Sequence, residues 1–125
     1  SNPQNLMAGK QTPQKEFKES LITMITVAQR LNAKVAAIGL TSVDESRMLG
    51  TKQFSNKVIK EYDDYVSEVC ASKEVPKLTL FDQLNNDEFK TSLVDGLHPN
   101  YDGHALVADL VIKFLSENGL IEYCL

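Results

Sequence analysis

The chain has 125 residues, 42% hydrophobic and 24% charged, which is the profile of one globular domain and excludes disorder, collagen and coiled coil. Its 13 Lys and Arg against 17 Asp and Glu give a net charge of −4, with no basic run of the kind that tracks phosphates, so nucleic acid is not an expected partner. No apolar run approaches the roughly 18 to 20 residues of a membrane-crossing helix.

The first ten residues lack the apolar stretch of a signal peptide, but Ser1-Asn2 can be a cloning remnant with the natural start upstream, so localisation is left open. Cys70 and Cys124 form neither a CxxC pair nor a spaced framework, and both are expected to be reduced, partly buried thiols.

In chain order, residues 1–12 read as a leader or linker, 13–117 as an α/β core and 118–125 as a tail. Thr12-Pro13 has the form of an N-cap followed by proline in the first helical position. Phe17, Leu21, Met24, Ile25, Ala28 and Leu31 then recur at helical spacing, predicting a helix over 13–31 that Asn32 can stop. The nearly continuous apolar run Ala33-Lys34-Val35-Ala36-Ala37-Ile38-Gly39-Leu40 predicts a parallel strand covered on both faces.

Residues 41–51, mixing Ser, Asp, Glu, Arg and Gly, read as a loop at the carboxyl end of that strand, where open α/β sheets place ligands. Phe54, Val58, Tyr62, Tyr65, Val66 and Val69 mark a second helix. After Pro76 the short run 78–81 predicts a second strand, and 85–94 a polar loop. Ala105, Leu106, Ala108, Val111, Ile112 and Leu115 mark a third helix ended by Asn118-Gly119.

The order helix, strand, helix, strand, helix predicts parallel strands with right-handed crossovers. Two strands make a meagre sheet with an unpaired edge and uncovered helix faces, so the chain is expected to be part of a larger domain. No repeat or low-complexity segment suggests another architecture.

Asp95 and His98 lie three apart in Asp95-Gly96-Leu97-His98-Pro99. A turn there can bring the carboxylate to one imidazole nitrogen and leave the other facing outward, the arrangement that fixes a tautomer and stabilises an imidazolium. On the pair alone, a local turn with Asp95 bonding nearby backbone is the favoured reading.

The longer run Asp95-Gly96-Leu97-His98-Pro99-Asn100-Tyr101-Asp102-Gly103-His104-Ala105-Leu106 resembles the final block of the SGNH, or GDSL, esterase and lipase family. The order of elements over about residues 13–115 resembles that family's carboxyl half. The resemblance implies a three-layer α/β/α, flavodoxin-like parent fold, Asp95 as triad acid and His98 as general base, with His104 at a noncatalytic position. It implies serine attack on an ester or acyl carbonyl and no cofactor.

The chain departs from that family in having no Gly-Asp-Ser block and no Gly-x-Asn-Asp block, which carry the nucleophile and much of the oxyanion hole. Asn2, followed by proline, does not replace the missing asparagine. Ser42, Ser46 and Ser92 can reach the same sheet edge, but none has the sharp strand-to-helix turn that activates serine. The two histidines, six apart, with Asp95 and Asp102 nearby, lack the spacing of a metal site. Asp44, Glu45 and Arg47 are candidates for lining a substrate pocket, although a solvated charged loop is the favoured reading of them.

The expectation is therefore the carboxyl-terminal part of a serine ester hydrolase, inactive alone, whose partners are an ester or acyl substrate, the amino-terminal half of the same domain and, for the isolated chain, a second copy in a dimer or swapped oligomer. The rival reading is a noncatalytic interaction or assembly module that self-associates through its bare strand edge.

Overall fold

The computed structural model describes residues 12–47 and 55–121. Helix α1, Gln14–Arg30, follows the predicted stripe. Pro13 itself is the N-cap, without a side-chain cap, so the helix begins one residue later than Thr12-Pro13 suggests. Asn32 adopts a left-handed φ of 60° and ends the helix.

Strand β1, Ala37–Ile38, pairs in parallel with β2, Lys77–Leu78, in the register Ala37 to Lys77 and Ile38 to Leu78. The ladder is shorter than the apolar run 33–40. β2 offers only a short partner, although the Gly39 N–H still donates to the Leu78 carbonyl at 2.9 Å. A single 3-10 turn, Glu45–Arg47, lies in the loop after β1. Helix α2, Asn56–Ser72, matches the second stripe, capped by the Ser55 hydroxyl accepting from the Val58 N–H at 3.2 Å. Phe54, residues 48–51 of the predicted loop and Cys124 lie outside the described residues.

Two predicted segments are corrected. The run 78–81 is strand only as far as Leu78; Leu80–Leu84 is helix α3, with Leu80, Phe81 and Leu84 buried. Those positions fall on one side of a helical turn, and a short apolar run does not distinguish strand from helix. The predicted loop 85–94 contains helix α4, Asp87–Thr91, whose N-cap Asn86 accepts from the Phe89 N–H and whose Phe89 is fully buried. Helix α5, Tyr101–Glu117, ends as expected at Asn118 and Gly119, with φ 68°. Among the described residues the fold is thus mixed α/β, with five helices and a two-stranded parallel sheet. None of these helices is long and apolar enough to cross a membrane.

Burial forms two clusters. Ile25, Val69, Cys70 and Val75 gather α1, α2 and the segment leading into β2. Leu78, Leu80, Leu84, Phe89, Leu93 and Phe114 gather β2, α3, α4 and α5. Neighbouring residues of the apolar run divide between them, Ala36 against the second cluster and Ala37 against the first, as the two-residue period of extended chain requires. Among the described residues β1 pairs only with β2, which leaves its other edge free; Ile38 and Leu40 are 43% and 42% exposed, and Met24, Val27 and Leu31 of the α1 region are exposed too.

The sheet is tied to α2 by a buried ion pair. Asp63 Oδ2 accepts from Lys77 Nζ at 2.8 Å with the two side chains 1% and 6% exposed. Lys77 also donates to the Ser67 hydroxyl at 2.8 Å, while Asp63 Oδ1 accepts from the Leu40 N–H at 2.9 Å. Gly39 permits the approach, because a Cβ there would stand 2.6 Å from Asp63 Oδ1. Removing one charge strands the other in a dry site. Asp63→Ala is accordingly expected to cost about 3–5 kcal/mol in urea unfolding, and Asp63→Ala with Lys77→Met less than the two single changes together. Additive costs would contradict the coupling.

Candidate functional site

The segment between α4 and α5 is a closed turn. The Val94 N–H donates to the His98 carbonyl and the Asn100 N–H to the Ser92 carbonyl, both at 2.8 Å, and Leu93 and Pro99 form an antiparallel bridge. Gly96 at the tip has φ 84°, where a side chain would be strained. Asn100 then starts α5, its Oδ1 accepting from the Gly103 N–H at 3.0 Å. Gly103 lets α5 lie against the turn, since a Cβ would stand 2.6 Å from the Pro99 Cβ.

Within the turn, Asp95 and His98 are brought together. Asp95 Oδ1 accepts from the Leu97 N–H at 2.9 Å and the His98 N–H at 2.7 Å, and Oδ2 lies 2.6 Å from His98 Nδ1. The His98 backbone N–H, its ring and the Leu97 N–H hold the Asp95 carboxyl well below the usual aspartate range, as donors to the charged form do. An ionised Asp95 accepts from a protonated Nδ1, which places the lone pair of the neutral ring on Nε2. The imidazole side chain is 71% exposed. The arrangement can therefore accept a proton at Nε2 while Asp95 stabilises the resulting cation.

The three serines are occupied otherwise. Ser42 is fully buried and donates to the Leu84 carbonyl at 3.0 Å. The Ser92 hydroxyl is buried and donates to the Phe89 carbonyl at 2.5 Å. Ser46 donates to Asp44 Oδ1 at 2.6 Å. Asp44 and Arg47 pair with each other, Nε to Oδ2 at 2.9 Å, and Arg47 Nη2 donates to the Lys90 carbonyl at 2.6 Å. His104 is exposed on the first turn of α5. Among the described residues no three His, Cys, Asp or Glu side chains converge as a metal ion requires.

Sequence reasoning missed two supports of this edge, Asp63 and Asn56. Asn56 binds both backbone groups of Val43, accepting from its N–H at 2.8 Å and donating to its carbonyl at 2.9 Å, which fixes the loop after β1. Asp63 carries a legible signal, a charge in line with Ile59, Val66 and Cys70 on one helical face. Asn56 carries none, since its partner is 13 residues away. A groove of about 420 Å³ between α4 and α5, lined by Glu88, Ser92, Asn100, Asp102, Leu106 and Asp109, includes neither Asp95 nor His98.

No protein-family model matches the sequence, and no curated protein is significantly similar to it. Among solved structures the chain resembles the lipase/acylhydrolase from Enterococcus faecalis, with a TM-score of 0.69 and 24% identity, over 87% of this chain and 54% of that one. The two share a fold, and the present chain spans about half the length of that neighbour.

The depressed Asp95 carboxyl fixes a sign. Its contribution to stability is present above the ordinary aspartate value of 3.8 and is lost as pH falls toward the lower folded value. Asp95→Asn is therefore expected to be less stable than the parent near pH 7, with the gap in urea midpoints narrowing by about pH 3; a gap independent of pH would contradict the bonding described. Gly103→Ala is expected to cost about 1–3 kcal/mol in the same measurement through overpacking against Pro99.

Proposed function

We propose that the chain is the carboxyl-terminal part of an SGNH-type serine ester hydrolase with a three-layer α/β/α parent fold, and that Asp95 and His98 are its acid and base. The observation that carries the reading is the Asp95 carboxylate held by three donors, the His98 ring among them, with an outward imidazole. The shared fold with a lipase/acylhydrolase supports it, as do apolar clusters that meet the neighbouring residues Ala36 and Ala37 of the apolar run from different sides.

In the complete protein a serine hydroxyl from the missing portion attacks the ester carbonyl as His98 Nε2 takes its proton. His98 returns that proton to the leaving alcohol, giving an acyl-enzyme, and then deprotonates the water that releases the acid and regenerates the serine. Asp95 stays ionised and orients the ring throughout. The missing portion also supplies the oxyanion donors and most of the substrate cleft, in keeping with a groove on this chain that does not reach His98. Its natural seat is the free edge of β1, beside Ile38 and Leu40.

The same bare edge favours a second reading, an assembly module that pairs this edge with another copy. The readings part on an upstream segment of the gene: Gly-Asp-Ser and Gly-x-Asn-Asp blocks there support the hydrolase, and their absence removes it. The 125-residue chain alone is expected to show negligible turnover of a short-chain aryl ester and no labelling by a serine-directed organophosphate. The chain joined to the upstream blocks is expected to hydrolyse the ester, with His98→Ala lowering kcat by about 10²–10⁴-fold; an unchanged rate would overturn the assignment of the base. The isolated chain is expected to dimerise with rising concentration in sedimentation, and a strict monomer at micromolar concentrations counts against self-association.

A further inference from the structure

Asp44 and Arg47, the loop residues that sequence position suggests for substrate contact, make hydrogen bonds to other groups of the chain. The Asp44 N–H donates to the Gly96 carbonyl at 2.8 Å. The same peptide unit presents the Leu97 N–H to Asp95 Oδ1 at 2.9 Å. One planar group therefore joins the loop to the carboxylate, its oxygen held by Asp44 and its N–H holding Asp95. A peptide whose oxygen accepts a hydrogen bond is polarised, which strengthens its N–H as a donor.

Asp44 is itself held from two sides. Its Oδ1 accepts from the Ser46 N–H at 3.2 Å and hydroxyl at 2.6 Å, and its Oδ2 from Arg47 Nε at 2.9 Å. The other arm of the guanidinium reaches the Lys90 carbonyl at 2.6 Å, in the last turn of α4, where a cation also meets exposed helix carbonyls favourably. Two elements are spanned by one rigid fork, a geometry that lysine reproduces only in part.

We propose that Arg47 is a positioning residue for Asp95: by tying Asp44 to the end of α4, it fixes the Gly96–Leu97 peptide plane whose N–H holds the carboxylate. Its meaning for catalysis rests on the reading of Asp95 and His98 as acid and base, whereas the geometry stands apart from that reading. Ser46 is a lesser member of the same arrangement.

The test is the amide proton resonance of Leu97 in the full chain near neutral pH, with Asp95→Asn marking its position without the carboxylate charge. In Arg47→Ala the resonance is expected to move about half or more of the way from the parent position to the Asp95→Asn position, and the His98 amide less, since it does not belong to the Gly96–Leu97 peptide. Arg47→Lys, which keeps the charge and one contact, is expected to lie between parent and Arg47→Ala. Should Arg47→Ala fail to fold, Ser46→Ala is expected to move Leu97 in the same direction by less. A Leu97 resonance at its parent position in a folded Arg47→Ala, or in Ser46→Ala where that variant takes its place, overturns the proposal. Loss of the hydrolase reading through a failed ester assay leaves the Leu97 shift in place, so the two failures are distinguishable.

Discussion

Two paired residues are too few to hold a parallel sheet in place, and the buried Asp63 and Lys77 pair supplies what the ladder lacks. Lys77 belongs to β2 and Asp63 to α2, and Asp63 also takes the backbone N–H of Leu40 just beyond β1. One carboxylate thereby fixes both strands to one helix, at the end of β1 from which the loop to Asp44 departs. Asn56, one residue into the same helix, continues the arrangement by holding both backbone groups of Val43. The loop is thus anchored at two successive points before it reaches Asp44.

From Asp44 the constraint passes to the turn between α4 and α5. Backbone bonds close that turn on itself, and Gly96 and Gly103 allow its tight tip and its contact with α5. The carboxylate and imidazole at its tip are exposed, yet their geometry is set by backbone donors and not by burial. A device of this kind stays organised while one side of it faces solvent, which suits the proposed half-site. The exposed Ile38 and Leu40 at the end of β1 fit the same proposal.

The three long helices were legible because seventeen residues give several turns of apolar repetition. Helices α3 and α4, five residues each, were not, since a single turn has no period to read. Leu78, Leu80 and Phe81 imitate a strand, and Asn86 reads as turn until Phe89 is seen buried beneath it. At the site, Asp95 and His98 were legible because their partnership is local and spans three residues. The support from Asp63, Asn56 and Arg47 depends on partners 14, 13 and 43 residues away, distances at which one sequence records no pairing. Asp44 and Arg47 were visible as charges but not as a clamp, because their neighbours come from α4 and the turn.

The claim on which the account rests is that the Asp95 turn holds His98 with its proton on Nδ1 and its lone pair on Nε2. The most direct measurement is a long-range nitrogen-15 to proton correlation spectrum of the imidazoles at about pH 8, where histidine is ordinarily neutral, with exposed His104 as internal reference. The account predicts a protonated Nδ1 and an unprotonated Nε2 for His98, reverting toward the pattern of His104 in Asp95→Asn. A His98 ring carrying its proton on Nε2 in the parent chain would contradict it.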